Sequence, residues 1–383
     1  MAPSIAQAPP SPSPKKLRTS GQLDPIYSLL RPYSDFPSAI TGPTLWHASD
    51  YASNSDAWVH RWTKEEIAAI GEAADKFMEE GKRLTEITRE NFVLKGELRD
   101  YLEKVRKMLV DGRGFGLWKG LPVDEWGVEK AAVAYMGIGT YLGYFVSQNS
   151  RGHILGHVKD LGEDSRQIDK VRIYRTNARQ FFHCDDSDLV GLLCITRAMR
   201  GGESDIVSAH HVFNTLQRER PDIVRTLCEP NWYFDRKGEV SKGQKEWIRS
   251  SVFYFYDDRV YVKWDPYYVK SLTRFSDKGL IPALTPEQLE AAEVLEETCN
   301  KLALHMVLEV GDIQFVSNTH CLHARTAYED HPWPAPRRHL MRLWLATPEG
   351  EGGWRLPFTD SKEKKRGGIQ VDEQEEVSPF DAE

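Results

Sequence analysis

The chain has 383 residues, of which 40% are hydrophobic and 28% charged, with a formal net charge of −7. This length suits one large domain with additions or two modest ones, and the acidic balance gives no reason to expect nucleic acid or an anionic membrane as a partner. No apolar run is long enough to span a bilayer, and the five cysteines show no CxxC spacing. The start of the chain lacks the apolar segment of a secretory signal. We therefore expect a cytoplasmic protein.

The two ends of the chain differ from its middle. Residues 1–24 are rich in Pro, Ser and Ala with almost no bulky apolar side chains, which predicts a disordered tail. Residues 351–383 carry runs of mixed charge, and we predict a second, charged disordered tail there. The intervening residues 25–350 are predicted to form a single domain.

The first part of this domain has helical patterns. Thr63 and Glu66 have the spacing of a capping box, and the apolar residues that follow recur on one helical face. Residues 92–110 and 126–141 continue in the same way, with a short buried strand at 115–118 between them. A helical lead-in is therefore expected before the rest of the domain.

From Tyr144 onward the pattern changes to short apolar or alternating runs bounded by Gly, Asp and Asn. These runs predict strands at 144–147, 154–158, 171–174, 189–196, 204–208, 252–256, 260–262, 305–310, 313–316 and 338–347. Tight turns are expected at Asp257-Asp258 and Gly311-Asp312, and a helix at 286–304. Many short strands with peripheral helices indicate a mainly β, α+β fold, either a β-sandwich or a jelly-roll barrel.

The motif that carries chemistry is Phe181-Phe182-His183-Cys184-Asp185. Side chains alternate along a strand, so His183 and Asp185 are expected on one face and Cys184 on the other. A further imidazole, His323, could complete a metal site, and two imidazoles with one carboxylate are typical of non-haem Fe(II) oxygenases. On residues alone, a zinc-dependent hydrolase on a cupin-like barrel and a simple surface hydrogen-bonding pair remain alternatives.

Four motifs follow one another along the chain: His183-x-Asp185, Gly201-Gly202-Glu203-Ser204, Asn318-x-x-x-x-His323-x-Arg325 and Arg338-x-x-x-Arg342. Their order resembles that of the taurine dioxygenase (TauD/TfdA-like) family of Fe(II)/2-oxoglutarate-dependent oxygenases. The resemblance covers about residues 144–347, and residues 182–216 resemble fungal members in particular. It implies a double-stranded β-helix (jelly-roll, cupin-like) core in a catalytic domain.

The resemblance also implies an activity. With Fe(II), 2-oxoglutarate and O2, such an enzyme oxidises an unactivated C–H bond of a small anionic substrate (a carboxylate, amino acid or sulfonate) and decarboxylates 2-oxoglutarate to succinate. Hydroxylation is the expected outcome, with desaturation or cyclisation in secondary metabolism as alternatives. A non-catalytic jelly-roll that binds a metal or small acid is the competing hypothesis from another class. No nucleic acid or membrane partner is expected, and the oligomeric state is not readable from the sequence.

Functional residues carry over from the family position by position. His183, Asp185 and His323 match the metal ligands, and Arg338 matches the arginine that binds the distal carboxylate of 2-oxoglutarate. Ser204 stands where many members have a threonine and could give that carboxylate a second donor. Arg342 matches the position that holds the substrate's anionic group in the taurine enzyme. From their own places in the sequence, beside predicted strands, Gln148, Asn149, Asn177 and Tyr174 are also expected to contact substrate, with structural roles in their loops as the alternative. A Pro-rich loop lengthens the interval between His323 and Arg338, which leaves the division of roles among Arg337, Arg338 and Arg342 open.

Overall fold

The computed structural model describes residues 29–357, 365–371 and 374–382. The predicted N-terminal tail, residues 1–24, lies outside these ranges. Within them, no helix is long and apolar enough to cross a membrane.

The helices and strands alternate irregularly along the chain. The α-helices are α1 (Ser49–Ala52), α2 (Lys64–Glu79), α3 (Gly96–Asp111), α4 (Val123–Thr140), α5 (Ala209–Glu219), α6 (Pro221–Cys228), α7 (Pro266–Lys270), α8 (Thr273–Ser276) and α9 (Pro286–Leu302). The strands are β1 (Val59–Arg61), β2 (Phe115–Lys119), β3 (Tyr144–Phe145), β4 (Leu155–Lys159), β5 (Gln180–His183), β6 (Leu189–Thr196), β7 (Arg200–Gly201), β8 (Ser204–Ser208), β9 (Trp232–Asp235), β10 (Trp247–Ser250), β11 (Phe253–Tyr256), β12 (Arg259–Val262), β13 (Leu304–Met306), β14 (Ile313–Ser317), β15 (Cys321–Arg325), β16 (Tyr328–Glu329) and β17 (His339–Ala346).

Local sequence signals explain where the principal helices begin. The side chain of Thr63 accepts a hydrogen bond from the backbone N–H of Glu66, whose carboxylate accepts one from the backbone of Thr63, so the predicted capping box is confirmed. Thr285 and Gln288 start α9 in the same reciprocal way. These caps satisfy backbone donors that would otherwise lack partners at a helix N-terminus.

Two facing sheets form the core. The larger has the strand order β1-β2-β14-β6-β17-β3, with β4 also paired to β17, and the smaller has the order β13-β8-β15-β5. Val190 and Val316 of the larger sheet are buried in one cluster with Ile206 and Cys321 of the smaller. Helices α2 to α4 cover the outer face of the larger sheet, and α5, α6 and α9 cover that of the smaller. This is the predicted jelly-roll with peripheral helices.

Alternation along β17 divides its side chains between the two layers. Leu340 and Trp344 point into the space between the sheets, whereas Met341 and Leu343 pack under the helices. Arg342 has the parity of Leu340 and Trp344, so its side chain lies in the inter-sheet space as well. Strand β17 therefore places a positively charged side chain in the interior of the barrel.

Two of the predicted β segments differ in the structure. Residues 171–174 were expected to be a strand, but Ile173–Arg175 form a 3-10 turn in which the N–H groups of Arg175 and Thr176 bond to the carbonyls of Arg172 and Ile173. The strand expected at 305–310 ends at Met306. Gly311-Asp312 does not close a hairpin, because β13 pairs with β8 in the smaller sheet and β14 with β2 and β6 in the larger.

Part of the stretch 351–383, for which a disordered charged tail was predicted, packs against the domain in the residues that the structure describes. Arg366 is only 1% exposed and forms an ion pair with Asp188, while Trp354 is buried. Further along, the backbone of Val377 bonds to Gly152 and Ile154. The charge pattern suggested solvation, but one of these charges has a buried partner elsewhere in the fold, which a composition argument cannot detect.

Candidate metal centre

His183, Asp185 and His323 meet at one end of the smaller sheet. Strands β5 and β15 are antiparallel neighbours with His183 opposite His323, and Asp185 follows β5 in the next turn. One ligand atom from each of the three residues lies within 4.8 Å of the others. Cys184 faces the other way and packs under the helices, as the strand alternation predicts.

The hydrogen bonds of His183 determine which ring nitrogen can bind a metal, and a metal there would take the place of the bond from Gln180. Its Nδ1 lies 2.9 Å from the carbonyl oxygen of Phe181 and must donate, since a carbonyl can only accept. Nε2 therefore carries the lone pair, toward which the amide of Gln180 donates at 2.8 Å. Burial, together with neighbouring His323, lowers the pKa of His183 to about 3, so the imidazole is neutral as metal coordination requires.

The carboxylate of Asp185 is kept ionised. Burial by itself would raise its pKa, but Arg342, whose Nη1 is 3.6 Å from Oδ1, and the two imidazoles hold the pKa below its usual range. The side-chain oxygen of Asn318 accepts a hydrogen bond of 3.0 Å from the backbone N–H of Asp185 and fixes the turn. Within the described ranges, Asp185 Oδ2 and His323 Nδ1 are buried without hydrogen-bond partners. Asp185 Oδ2 lies 3.6 Å from His323 Nε2. Two imidazoles and a charged carboxylate whose Oδ2 has no hydrogen-bond partner among the described groups fit a divalent iron ion.

A narrow compartment between the sheets adjoins this triad. It has a volume of about 40 Å³, and its lining includes His183, His323, Ser204 and Arg338. Arg338 is 5% exposed; its Nη2 donates to the carbonyl of Gly202, and its Nη1 has no partner in the part of the chain that the structure describes. A side chain at Gly202 would begin 2.6 Å from Arg338 Nε, so only glycine leaves room for the guanidinium. The compartment offers a buried cation with unused donors to an anion.

Ser204 and Arg325 complete this compartment. Ser204 is buried and its hydroxyl exchanges hydrogen bonds with the amide of Gln314. Arg325 bonds to the carbonyls of Thr176 and Ala178 through Nη2, but its Nε and Nη1 are buried without partners among the described groups. The sequence analysis gave Arg325 no role. Its position two residues after His323, hence on the same face of the strand, was the signal that could have found it.

Arg337 and Arg338 point in opposite directions. The side chain of Arg337 is 49% exposed and its Nη1 donates to the carbonyl of Asp160. Arg338 faces the compartment beside the triad, and Arg342 lies four residues further on the same face. The geometry therefore separates three arginines that the sequence could not distinguish.

A second compartment shares Gln180, Asp185 and Arg342 with the first. Arg342 is held by a 2.7 Å hydrogen bond from its Nε to Gln148 Oε1, and its guanidinium lies over the ring of Tyr174 at 4.5 Å. The amide of Gln148 also donates to the carbonyl of Arg342, so Gln148 positions this arginine instead of offering free groups to a substrate. Cationic side chains of Arg172 and Lys237 line the same compartment, which the sequence analysis did not foresee.

Asn149 and Asn177, both predicted to contact substrate, are placed differently. Asn149 borders an adjacent cavity, but its side-chain oxygen accepts from the backbone of Arg151 and His153 and so shapes its own loop. Asn177 is exposed, and its carbonyl accepts a hydrogen bond from Tyr328. Asn177 is not brought to the centre: it is exposed, although the neighbouring Thr176 is buried.

The sequence matches a family model and is similar to two named proteins. A family model described as "Taurine catabolism dioxygenase TauD, TfdA family" matches residues 80–344. FR-33289 synthase of Streptomyces rubellomurinus is 28% identical over 321 residues, covering 81% of this chain and 91% of that protein. The taurine hydroxylase-like protein SAT17 of Stachybotrys chartarum is 25% identical over 324 residues, covering 83% and 82% respectively.

Solved structures share the fold at low sequence identity. An asparagine oxygenase in complex with Fe(II), 2S,3S-3-hydroxyasparagine and succinate superposes with a TM-score of 0.59 at 16% identity, covering 76% of this chain and 94% of that one. The non-heme iron oxygenase OrfP in complex with Fe and alpha-ketoglutaric acid gives a TM-score of 0.56 at 14% identity, covering 75% and 94%. These similarities confirm the predicted fold.

Proposed function

The chain belongs to the taurine catabolism dioxygenase TauD, TfdA family, and on this basis we propose the roles of its site residues and its class of substrate. It is an Fe(II)- and 2-oxoglutarate-dependent dioxygenase. When bound, iron and 2-oxoglutarate supply the oxidation of a C–H bond by O2, coupled to decarboxylation of 2-oxoglutarate to succinate. Family membership favours this activity over a zinc-dependent hydrolase or a non-catalytic binding protein.

His183, Asp185 and His323 are the proposed iron ligands. The observation that carries this assignment is the convergence of their donor atoms within 4.8 Å of one another, on side chains that are buried or nearly so. Phe181 and Asn318 hold His183 and the Asp185 turn in place through hydrogen bonds. Such supporting contacts fix the orientation of the ligands and keep the imidazole in the tautomer that binds metal.

Arg338 is the proposed anchor for the distal carboxylate of 2-oxoglutarate, with Ser204 as a second donor. A guanidinium binds a carboxylate through two parallel hydrogen bonds and stays charged when buried. Arg325 lies in the same compartment and adds positive potential there. Burial and neighbouring Arg338 lower its pKa to about 10, which still leaves it cationic at neutral pH.

The substrate is proposed to be a small anionic molecule, with an amino acid favoured within that class. Arg342 and Lys237 place positive charge in the compartment beside Asp185, together with Arg172, which is paired with Glu239. Asp265 contributes a carboxylate to the wall. Burial lowers the pKa of Lys237 to about 8, and a bound carboxylate would stabilise its charged form. The solved structures with hydroxyasparagine and (3S)-hydroxy-L-Arg support a hydroxylated amino acid as the product.

Asp185 lines both compartments. Co-substrate held by Arg338 in one compartment and substrate held near Arg342 in the other would therefore both lie beside this proposed ligand. Gln148 keeps Arg342 oriented through two hydrogen bonds, so the reacting carbon can be placed reproducibly.

Succinate formation by anaerobically purified protein tests the proposal. After addition of Fe(II), 2-oxoglutarate and O2, we expect slow succinate production without substrate. Succinate production should be faster when L-asparagine, L-arginine or taurine is added and the added compound fits the substrate compartment. His183→Ala should abolish both. The control His305→Ala removes an exposed histidine in β13 that bonds to Asp205 and should leave both rates unchanged. Succinate production that persists in His183→Ala, or a wild-type protein that fails to bind Fe(II), would refute the assignment.

A further inference from the structure

Residues 365–371 lie against the turn that carries Asp185, although they follow the end of the family match at residue 344. We propose that Arg366 is a positioning residue for the metal centre: through Asp188 it fixes the turn 185–188 and couples the C-terminal segment 365–371 to metal binding. This inference rests on the proposed function and extends it to a part of the chain outside the family match.

Arg366 forms a bidentate ion pair with Asp188. Its Nε and Nη2 donate to the two carboxylate oxygens at 2.7 and 3.0 Å, and Nη1 donates to the carbonyl of Trp354 at 2.7 Å. Both side chains are at least 94% buried. A planar guanidinium held at three points in the interior has little freedom to move, so the position of the segment is well defined.

Asp188 is connected to the proposed ligand Asp185 by a short network. The backbone N–H of Asn318 donates to the carbonyl of Asp188 at 2.9 Å, and the side-chain oxygen of Asn318 accepts from the backbone N–H of Asp185. The amide of Asn318 also donates to the hydroxyl of Ser187. A displacement of Asp188 is therefore transmitted to Asp185 through Asn318.

The C-terminal segment also bonds directly to this turn. The N–H of Gly368 donates to the carbonyl of Asp186 at 2.6 Å, and the N–H of Ile369 donates to that of Ser147 at 2.8 Å. Gly368 has a φ of +71°, and a side chain there would begin 2.7 Å from the carbonyl oxygen of Ser147. The close approach thus requires glycine at this position.

The same segment lines a cavity that borders the metal centre. This cavity of about 450 Å³ has Asp185 and Asn318 on one side and residues 366–370 on another. Ile369 packs against the inter-sheet cluster that contains Val146 and Trp344. A tail that only covered the surface would not contribute to both the metal-bearing turn and the adjoining cavity.

Fe(II) binding and amide hydrogen exchange in the full-length protein test the coupling. Fe(II) with 2-oxoglutarate, added without oxygen, should slow exchange in peptides that contain Gly368 and Ile369, because coupling between two sites is reciprocal. Arg366→Met should weaken Fe(II) binding at least tenfold and abolish this protection, and Arg366→Lys should restore part of both. Lys365→Ala, which alters the adjacent exposed residue, should match the wild type.

Gly368→Ala provides a second variant if Arg366→Met does not fold, since it displaces the segment and keeps the ion pair. It should also weaken Fe(II) binding at least tenfold. Fe(II) affinity within twofold of the wild type in a folded Arg366→Met or Gly368→Ala protein would overturn the inference, even if the variant melts at a lower temperature. Failure of the wild-type protein to bind Fe(II) would instead refute the proposed function together with the inference.

Discussion

Replacing Arg338 by methionine should separate function from stability. The guanidinium is buried beside the triad, and its Nη1 has no hydrogen-bond partner among the residues that the structure describes. Binding of 2-oxoglutarate would supply the missing acceptor. We therefore expect Arg338→Met to impair co-substrate binding strongly without destabilising the protein.

The expected change in the KM for 2-oxoglutarate follows from the hydrogen bonds that Arg338 would make to its carboxylate. Hydrogen bonds to charged groups contribute about 1.5–3 kcal/mol each, and a guanidinium lost from a buried carboxylate removes on the order of 3 kcal/mol of binding. At about 1.4 kcal/mol per factor of ten, the KM for 2-oxoglutarate should rise roughly 100-fold. Removal of a buried charge with unused donors is often neutral or stabilising, so the free energy of unfolding without ligand should be unchanged or rise by about 1 kcal/mol.

Two measurements check this prediction. Succinate production at varied 2-oxoglutarate gives the KM, and urea denaturation of the metal-free protein gives the free energy of unfolding. Arg337→Met is the matched control, since the neighbouring arginine is half exposed and bonds to Asp160. Its KM should stay within twofold of the wild type.

The opposite pattern would refute the reasoning. If Arg338→Met kept the wild-type KM and lost several kcal/mol of stability, Arg338 would be a structural residue whose contacts with Gly202 and Tyr328 matter more than any ligand. The carboxylate anchor would then have to be sought at Arg325.

Two further predictions concern the surroundings of the site. Asn318→Ala removes the acceptor for the Asp185 N–H and should raise the Fe(II) dissociation constant about 10- to 100-fold in an anaerobic titration. An unchanged dissociation constant would show that the turn at Asp185 keeps its conformation without this hydrogen bond. Burial and neighbouring His157 lower the pKa of His339 to about 4, whereas the same histidine in the unfolded chain has a pKa near 6.5. As the pH drops from about 6.5 to about 4, the unfolded chain therefore binds a proton that the folded protein does not. The free energy of unfolding should fall in this range by about 1.4 kcal/mol per pH unit. His339→Gln should flatten this part of the stability curve in urea denaturation at pH 7 and pH 5, and an unaltered slope would assign the acid sensitivity to other groups.

The sequence by itself determined the features that depend on neighbouring residues. The capping box at Thr63 and the turn at Asp257-Asp258, where both residues have positive φ, follow from local backbone chemistry. Strand alternation predicted that His183 and Asp185 share one face. In the structure β5 ends at His183, and Asp185 reaches the same centre from the residues that follow the strand. The order of the motifs then indicated His323 as the third member and the family to which the chain belongs.

Only the tertiary structure decided which charges are buried and what they contact. Arg337 and Arg338 are adjacent and chemically identical, yet one meets solvent and the other the compartment beside the triad. Arg366 lies in a charge-rich stretch that resembles a disordered tail, but its partner Asp188 is 178 residues away. The free energy of a charged side chain depends on the partners and the solvent around it, and these are brought together only when distant segments of the chain fold against one another.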